Sequence, residues 1–256
     1  MPTQPMQTSF TMRLADATVA VRAMHGQVRE LCADYLVDPE AAGAPDLTVE
    51  TSQGDIDRER RSATEDGYSD AYLETLAVYR KISTWAPLHR RLLIHGAVIE
   101  YGGTAYMFCA ASGTGKSTHI GLWRRYLGDA VQVVNGDKPL VLIGADGPAI
   151  AYGTPWCGKE ALQRNVSAPL GGICFLERAA APGGNSIRRL KPAEAIERAF
   201  RQVYVPSATE PASHALELVD ALLTRTPLYL LTVDMSEDAV RTSFEGVTGR
   251  AYPAHA

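Results

Sequence analysis

The chain has 256 residues, of which 46% are hydrophobic and 21% are charged, as in ordinary globular domains. Its 25 lysines and arginines are outnumbered by 29 aspartates and glutamates, which gives a net charge of −4. This balance gives no reason to expect a nucleic-acid binder or a basic membrane-surface protein, so we expect neither nucleic acid nor a membrane as a partner. The length predicts one large domain or two modest ones.

Three kinds of feature that the sequence lacks predict the cellular compartment of the protein. Apolar runs such as residues 140–143 and 228–231 are far shorter than the ~20 residues that cross a bilayer. The chain does not begin with a basic segment followed by an apolar one, so we expect no signal peptide. The four cysteines form no CxxC pair, which favours reduced thiols. We therefore expect a cytoplasmic protein.

The first 86 residues differ in pattern from the rest of the chain. A broken alternation of apolar residues over 9–24 predicts two strands, and the spacing of apolar residues over 70–84 predicts a helix. The charged stretch 52–67 predicts a solvated loop. Residues 1–86 are thus predicted to form a small α+β N-terminal segment.

From Arg91 onward, apolar runs typical of buried strands alternate with helical patterns. Strands are predicted at 92–99, 104–110, 131–134, 140–143, 149–152, 172–176, 186–190 and 227–233, and helices at 192–203, at 210–223 and after Ser236. This alternation predicts an α/β core over residues 87–256.

The most specific motif is the segment 110–118, Ala-Ala-Ser-Gly-Thr-Gly-Lys-Ser-Thr, which fits the phosphate-loop pattern with alanine in place of the first glycine. An apolar strand enters it and a helical pattern leaves it. Gly113 and Gly115 let the backbone approach phosphate oxygens, Lys116 supplies an ammonium group, and Ser117 supplies a hydroxyl ligand for Mg²⁺. The predicted nucleotide-binding residues are Ser112, Gly113, Thr114, Gly115, Lys116, Ser117 and Thr118. The alternative is a structural glycine-rich turn.

A phosphate loop also needs a carboxylate that holds the metal ion, at the end of a nearby strand. Asp137 follows the strand that comes directly after the loop's helix, so it is the candidate. The alternative is a turn residue in the sequence Asn135-Gly136-Asp137. We predict ATP and Mg²⁺ as cofactors, with Ser117 and Asp137 as the metal ligands.

These motifs resemble the HPr kinase/phosphorylase and phosphoenolpyruvate carboxykinase superfamily of P-loop kinases. The resemblance rests on three strings, His-Gly-Ala-Val at 95–98, Ser-Gly-Thr-Gly-Lys-Ser-Thr at 112–118 and Asn-Gly-Asp-Lys at 135–138. The chain is also similar to small bacterial HPr-kinase-like proteins, which carry Thr-His-x-x-Leu-Trp, here 118–123, and Gly-Thr-Pro-Trp-x-Gly-Lys, here 153–159. The resemblance implies a P-loop core with a mixed central sheet of the HPr kinase/carboxykinase type.

The resemblance also implies roles for single residues. His95 would lie beside the transferring phosphoryl group, and Asp137 would hold Mg²⁺. The family's other aspartate, its usual base, is Gly136 here, so that role does not transfer. His95 and Glu160 are the two candidates for proton acceptance, and free imidazole is the better suited of the two groups near neutral pH.

Several further residues have open roles. The candidate cations for binding phosphate or substrate are Lys138, Lys159 and Arg164, although each could also be a solvated surface charge. His119, in the first turn of the helix after the loop, could contact the nucleotide or face solvent.

The resulting hypothesis is an ATP- and Mg²⁺-dependent kinase that transfers the γ-phosphoryl group to a hydroxyl. Since some relatives phosphorylate ribosomally made peptides, including lasso-peptide precursors, the expected acceptor is a serine of a peptide or protein. Two alternatives are a nucleotide-binding regulatory module with little catalysis, consistent with Gly136, and a carboxykinase-like activity, against which the length of the chain weighs. The choice between ATP and GTP, and homo-oligomer formation, remain open.

Overall fold

The computed structural model describes residues 8–63, 66–158, 162 and 164–253. The strands within these ranges are β1 (Thr8–Leu14), β2 (Ala17–Ala23), β3 (Leu36–Val37), β4 (Leu47–Glu50), β5 (Arg91–Leu93), β6 (Ala97–Tyr101), β7 (Thr104–Cys109), β8 (Val131–Asn135), β9 (Leu140–Leu142), β10 (Ile150–Tyr152), β11 (Ser167–Arg178), β12 (Ser186–Leu190) and β13 (Leu228–Val233). The helices are α1 (Gln27–Leu31), α2 (Pro39–Ala42), α3 (Gln53–Ser62), α4 (Asp70–Trp85), α5 (Lys116–Leu127), α6 (Pro192–Phe200), α7 (Thr209–Arg225) and α8 (Glu237–Thr248). Among these helices, none has both the length and the apolar character needed to cross a membrane.

The N-terminal part of the described chain forms a small sheet of strand order β3-β1-β2-β4. β1 and β2 form the antiparallel hairpin that the alternation predicts, and Ala15 and Asp16 at its turn have φ values of 48° and 63°. Two positive φ values in a two-residue turn match the right-handed twist of the strands. α1 and α4 pack on this sheet, burying Met12, Val28 and Ile82.

One local prediction is wrong, because residues 53–62 form α3 rather than a solvated loop. Asp55 accepts a hydrogen bond from the Ser52 amide at 3.0 Å and so begins the helix with a capping interaction. Ile56 is fully buried, and buried Glu59 accepts from Nη2 of Arg80 in α4 at 2.8 Å. A charged stretch with one apolar residue therefore folds because its salt-bridge partner lies on another helix.

The larger sheet confirms the predicted α/β class and mixed strand directions. Its strand order within the described residues is β5-β9-β10-β11-β7-β6-β8, with β13 beside β11 and β12 beside β13. β7, β11 and β13 are parallel, whereas β6 runs antiparallel to both β7 and β8. α6 and α7 cover one face of the sheet, and α5 and α8 cover the other.

The sequence predicted one strand at 92–99, and this prediction is wrong for the apolar run. It divides into β5 and β6, which lie far apart in the sheet. The main-chain amide of His95 donates to Gln202 O at 2.7 Å, and that of Gly96 donates to Asp137 O at 2.9 Å. These bonds hold residues 94–96 out of the sheet and next to the segment that follows β8.

The two parts of the chain share one apolar cluster. Val78, Tyr79 and Ile82 of α4 pack together with Leu140 and Trp156 from the larger sheet and its loops. The domain boundary between residues 86 and 87 therefore stays a prediction from the sequence, and the packing across it is continuous.

Candidate functional site

Strand directions bring three segments to one edge of the larger sheet. β7 and β8 both run antiparallel to β6, and Val98 at the start of β6 pairs with Asn135 at the end of β8. The predicted phosphate loop follows β7, Asp137 follows β8, and His95 precedes β6. The topology therefore gathers the three predicted motifs at the same place.

The predicted phosphate loop has the backbone shape that its glycines permit. Gly113 and Gly115 have φ values of 76° and 123°, which L side chains rarely adopt. α5 begins at Lys116 with no side-chain cap at Gly115, so its first amide groups remain available to an anion. Ser112 and Thr118 are exposed, and Thr114 and Ser117 are half-buried.

Arg178, the last residue of β11, holds the outer side of this loop. Its Nε donates to Thr114 O at 3.0 Å, and its Nη2 donates to Gly113 O. Because carbonyl and amide groups of a peptide unit point in opposite directions, binding these carbonyls from outside turns the following amides toward the inside of the loop.

Lys116, His95, Asp137 and Lys138 form one connected cluster. Lys116 Nζ donates to Ala110 O at 2.8 Å and lies 3.1 Å from His95 Nε2. The same Nε2 lies 3.1 Å from Oδ1 of Asp137, whose Oδ2 accepts from Lys138 Nζ at 2.8 Å. The structure thus brings together four of the residues that the sequence selected.

The surroundings change the proton affinities of this cluster. Burial disfavours the charged form of Asp137, but hydrogen bonds from His95 and Lys138 outweigh it and hold the pKa of this carboxyl well below its usual range. Burial lowers the pKa of Lys116, although Asp137 acts in the opposite direction. Asp137 therefore stays an anion at neutral pH.

Gln202 determines which nitrogen of His95 carries the proton. One side-chain atom of Gln202 faces Ala110 O at 3.1 Å, His95 O at 3.2 Å and His95 Nδ1 at 3.1 Å. Two carbonyl oxygens can accept only from the amide nitrogen, so that nitrogen also donates to Nδ1. The ring proton is then on Nε2, where Asp137 Oδ1 accepts it. In this tautomer Nε2 cannot accept from Lys116, so the 3.1 Å between Lys116 Nζ and Nε2 is a contact without a hydrogen bond, and Lys116 donates to Ala110 O.

Asn135 and Gly136 shape the turn that carries Asp137. The side-chain oxygen of buried Asn135 accepts from the amides of Asp137 at 2.9 Å and Lys138 at 2.7 Å. A Cβ atom on Gly136 would lie 3.2 Å from Cys157 O and 3.3 Å from the carbonyl oxygen of the residue at position 162. Close main-chain packing therefore explains why position 136 has no side chain.

The N-terminal part of the chain reaches this turn directly. Tyr79 of α4 donates to Lys138 O at 3.1 Å and stacks on Trp156, with ring centroids 4.4 Å apart. Trp156 in turn donates to Thr75 O at 3.0 Å. α4 is therefore a support for the segment that carries Asp137.

Other predicted residues lie apart from the cluster. The Arg164 guanidinium donates to Gln132 Oε1 at 3.3 Å, and no described contact joins it to His95 or Asp137. His119 neither faces solvent nor lies open to a ligand. It is buried against Phe108 and Ser243, and burial lowers its pKa to about 3. Lys159 and Glu160 lie outside the described residues.

Sequence reasoning missed Gln202, Arg178 and Tyr79 as parts of the site. Each comes from an element distant in sequence from the motifs, and none lies in a recognisable pattern of its own. Of the three, Arg178 alone had a signal in the sequence. It ends β11, which pairs in parallel with β7, and therefore lies beside the loop that follows β7.

Two of the predicted site residues carry oxygen donors of the type that Mg²⁺ binds. Mg²⁺ prefers oxygen ligands, and in phosphate-binding sites it uses one or two carboxylates, phosphate oxygens and water. Asp137 supplies an ionised carboxylate and Ser117 a hydroxyl. Among the described residues, no group of three or more His, Cys, Asp or Glu side chains could hold a metal ion on its own.

Comparison with known proteins adds little. No family model matches the chain, and no curated protein matches it. Among solved structures, the chain is similar to the Hpr(Ser) kinase/phosphatase from Coxiella burnetii at 12% identity and a TM-score of 0.33, over 61% of this chain and 93% of that chain. A likeness this distant supports no statement about function, so the assignments below rest on the residues of this chain.

Proposed function

We propose that the protein is a P-loop kinase that uses ATP and Mg²⁺ to transfer the γ-phosphoryl group to a hydroxyl, with a serine of a peptide or protein as acceptor. One observation carries the proposal. Lys116 at the start of α5 and Asp137 after β8 converge on His95 Nε2, each with a contact of 3.1 Å. This is the pairing of phosphate cation and metal carboxylate that phosphoryl transfer requires.

Each residue of the proposed site then has a separate role. Lys116 and the amides at the start of α5 bind the β- and γ-phosphates, and Arg178 keeps the loop in shape for them. Asp137 and Ser117 would hold Mg²⁺, which supplies charge neutralisation on the phosphates when bound. Lys138 adds a second cation beside Asp137.

The sequence left His95 and Glu160 as two candidates for proton acceptance, and the hydrogen bonds of His95 disfavour the first. In the tautomer that Gln202 favours, Nε2 of His95 already carries a proton and donates it toward Asp137. His95 therefore orients Asp137 in this arrangement. Glu160 is the remaining candidate for proton acceptance, and positioning with charge stabilisation supplies most of the expected acceleration.

One observation favours a second candidate, a nucleotide-binding module with little catalysis. Gly136 lacks the carboxylate that a paired-aspartate site would have, and a Cβ there would be tightly packed against two main-chain oxygens. Incubation with ATP, Mg²⁺ and serine peptides encoded beside the gene separates the two candidates. Phosphoserine that disappears in Asp137→Ala supports the kinase, whereas ATP binding with equally negligible transfer in both proteins supports the module.

A further inference from the structure

A pocket of about 600 Å³ lies between the C-terminal half of α5 and β8. Arg124 and Arg125, in the last turn of α5, line it together with Arg164 from the segment beside β8. Asp129 and Gln132 also belong to its described lining. It is separate from the cluster around Asp137.

The three guanidiniums are not neutralised by carboxylates of the described chain, since none of them belongs to an ion pair there. Within the part of the chain that the structure describes, the Arg164 guanidinium donates to the neutral amide of Gln132, and the Arg125 guanidinium lies 5.4 Å from the Tyr126 ring centroid. By contrast, Arg198 outside the pocket pairs with a glutamate at 2.6 Å.

Helix electrostatics alone do not explain this arrangement. Cations in the last turn of a helix complement its negative end, which accounts for Arg124 and Arg125. Arg164 comes from a different segment, and its amide is fixed to Val134 O at 3.2 Å. Three arginines against one aspartate give the described lining a positive surplus in a chain whose net charge is −4, and such a surplus favours an anionic ligand.

We propose that this pocket binds acidic side chains of the phosphoryl acceptor, an inference that rests on the proposed kinase function. Guanidinium groups bind carboxylates through paired hydrogen bonds, and three of them suit a run of glutamate or aspartate. The described lining contains no aromatic ring on which a nucleobase could stack, which disfavours a nucleic acid.

β8 connects the pocket to the site of transfer. Gln132 precedes Asn135 by three residues, or about 10 Å at ~3.3 Å per strand residue, and Asp137 follows shortly after. An extended acceptor covers this span with about three to five residues. The acidic residues of the acceptor therefore lie about three to five positions from the serine that receives the phosphate.

The test uses the full chain and a short fluorescein-labelled peptide, with one serine and a run of glutamates about four residues away. Fluorescence anisotropy measures its binding, and the same peptide with glutamines in place of glutamates is the ligand control. Arg124→Glu/Arg125→Glu is expected to weaken binding at least about tenfold. Arg58→Glu/Arg61→Glu, with the same charge change on two exposed arginines of α3 outside the pocket, is expected to bind as the wild type does.

Equal binding of the two peptides, unchanged binding in Arg124→Glu/Arg125→Glu, or an equal loss in the α3 variant overturns the inference. Preference for a single-stranded oligonucleotide over the glutamate peptide overturns it as well.

Phosphoryl transfer separates the proposed acidic-peptide pocket from the proposed kinase function. Transfer to the glutamate peptide that is unaffected by Arg124→Glu/Arg125→Glu defeats the pocket and keeps the kinase. Arginine-dependent binding without transfer to any peptide defeats the kinase and keeps an acidic-peptide site.

Discussion

His95 Nε2 lies 3.1 Å from Oδ1 of Asp137, and the histidine proton that bridges them is placed there by a third residue, Gln202. The Gln202 side chain must direct its amide nitrogen at two main-chain carbonyl oxygens, which can only accept. In that orientation the nitrogen also donates to Nδ1 of His95. A residue outside every motif thus determines how the histidine of the His-Gly motif contacts Asp137, the carboxylate proposed to hold the metal ion.

This relationship predicts the tautomer of His95 in solution. NMR of histidine labelled with ¹⁵N should show the proton on Nε2 in the wild type, and a mixture of tautomers in Gln202→Met, which keeps the side-chain length without the amide. The same variant should lower kcat about tenfold with little change in the KM for ATP, because it disturbs orientation rather than nucleotide binding. A wild-type proton on Nδ1 would contradict the assignment.

Gly136 should resist conversion into the aspartate of a paired-carboxylate site. Gly136→Asp places a side chain against two main-chain oxygens, 3.2 and 3.3 Å from its Cβ, so it should destabilise the fold by about 1–3 kcal/mol without raising the transfer rate. Gly121→Ala, with nothing within 4 Å of its Cβ inside α5, should be neutral or stabilising. Urea denaturation measures the stability of both variants. A Gly136→Asp variant that is as stable as the wild type, or that transfers phosphate faster, would count against this account.

Arg178 should matter for nucleotide binding rather than for stability alone. Arg178→Ala releases the carbonyls of Gly113 and Thr114 and should weaken ATP binding about tenfold, the equivalent of about 1.4 kcal/mol, with partial recovery in Arg178→Lys. Arg225 binds two loop carbonyls elsewhere, at 2.8 and 3.0 Å, so Arg225→Ala is the matched control. Calorimetric titration with ATP should leave the affinity of that control unchanged. Equal losses in both variants would assign Arg178 a purely structural role.

Buried His119 should make the fold sensitive to mild acid. Burial lowers its pKa from 6.5 to about 3, so between these values the unfolded chain binds a proton that the folded chain does not. This contribution leaves stability unaffected above pH 6.5 and lowers it progressively as the pH falls, by about 2 kcal/mol at pH 5. In His119→Gln, the stability difference between pH 7.5 and pH 5 should shrink by that amount. Equal pH dependence in both proteins would show that His119 titrates normally.

Local patterns were sufficient to predict much of this architecture. The strand–loop–helix context of residues 110–118, the strand before Asp137 and the cap at Ser236, which accepts from Ala239 N at 3.3 Å, are all signals within a few residues of one another. The α/β class followed from the same patterns. Each of these features depends on local sequence, which a single chain displays in full.

The parts that escaped prediction depend on distant partners. The ion pair between Glu59 and Arg80 holds α3 against α4, and the apolar run at 92–99 divides because its main chain bonds to Gln202 and Asp137. His119 is buried by Ser243 of α8, which no pattern near the loop reveals. Tertiary contacts of this kind override local preference, and one sequence does not show them.

The most direct test of the central claim is single-turnover phosphoryl transfer from γ-labelled ATP to a serine peptide, in the wild type, in Lys116→Met and in Lys191→Met. Lys191 is an exposed lysine at the start of α6 and serves as the matched control. The kinase account predicts labelled phosphoserine at equal rates in the wild type and Lys191→Met, and a loss of about a thousandfold or more in Lys116→Met. Transfer that proceeds equally well in Lys116→Met, or ATP binding without transfer in any of the three proteins, would contradict it.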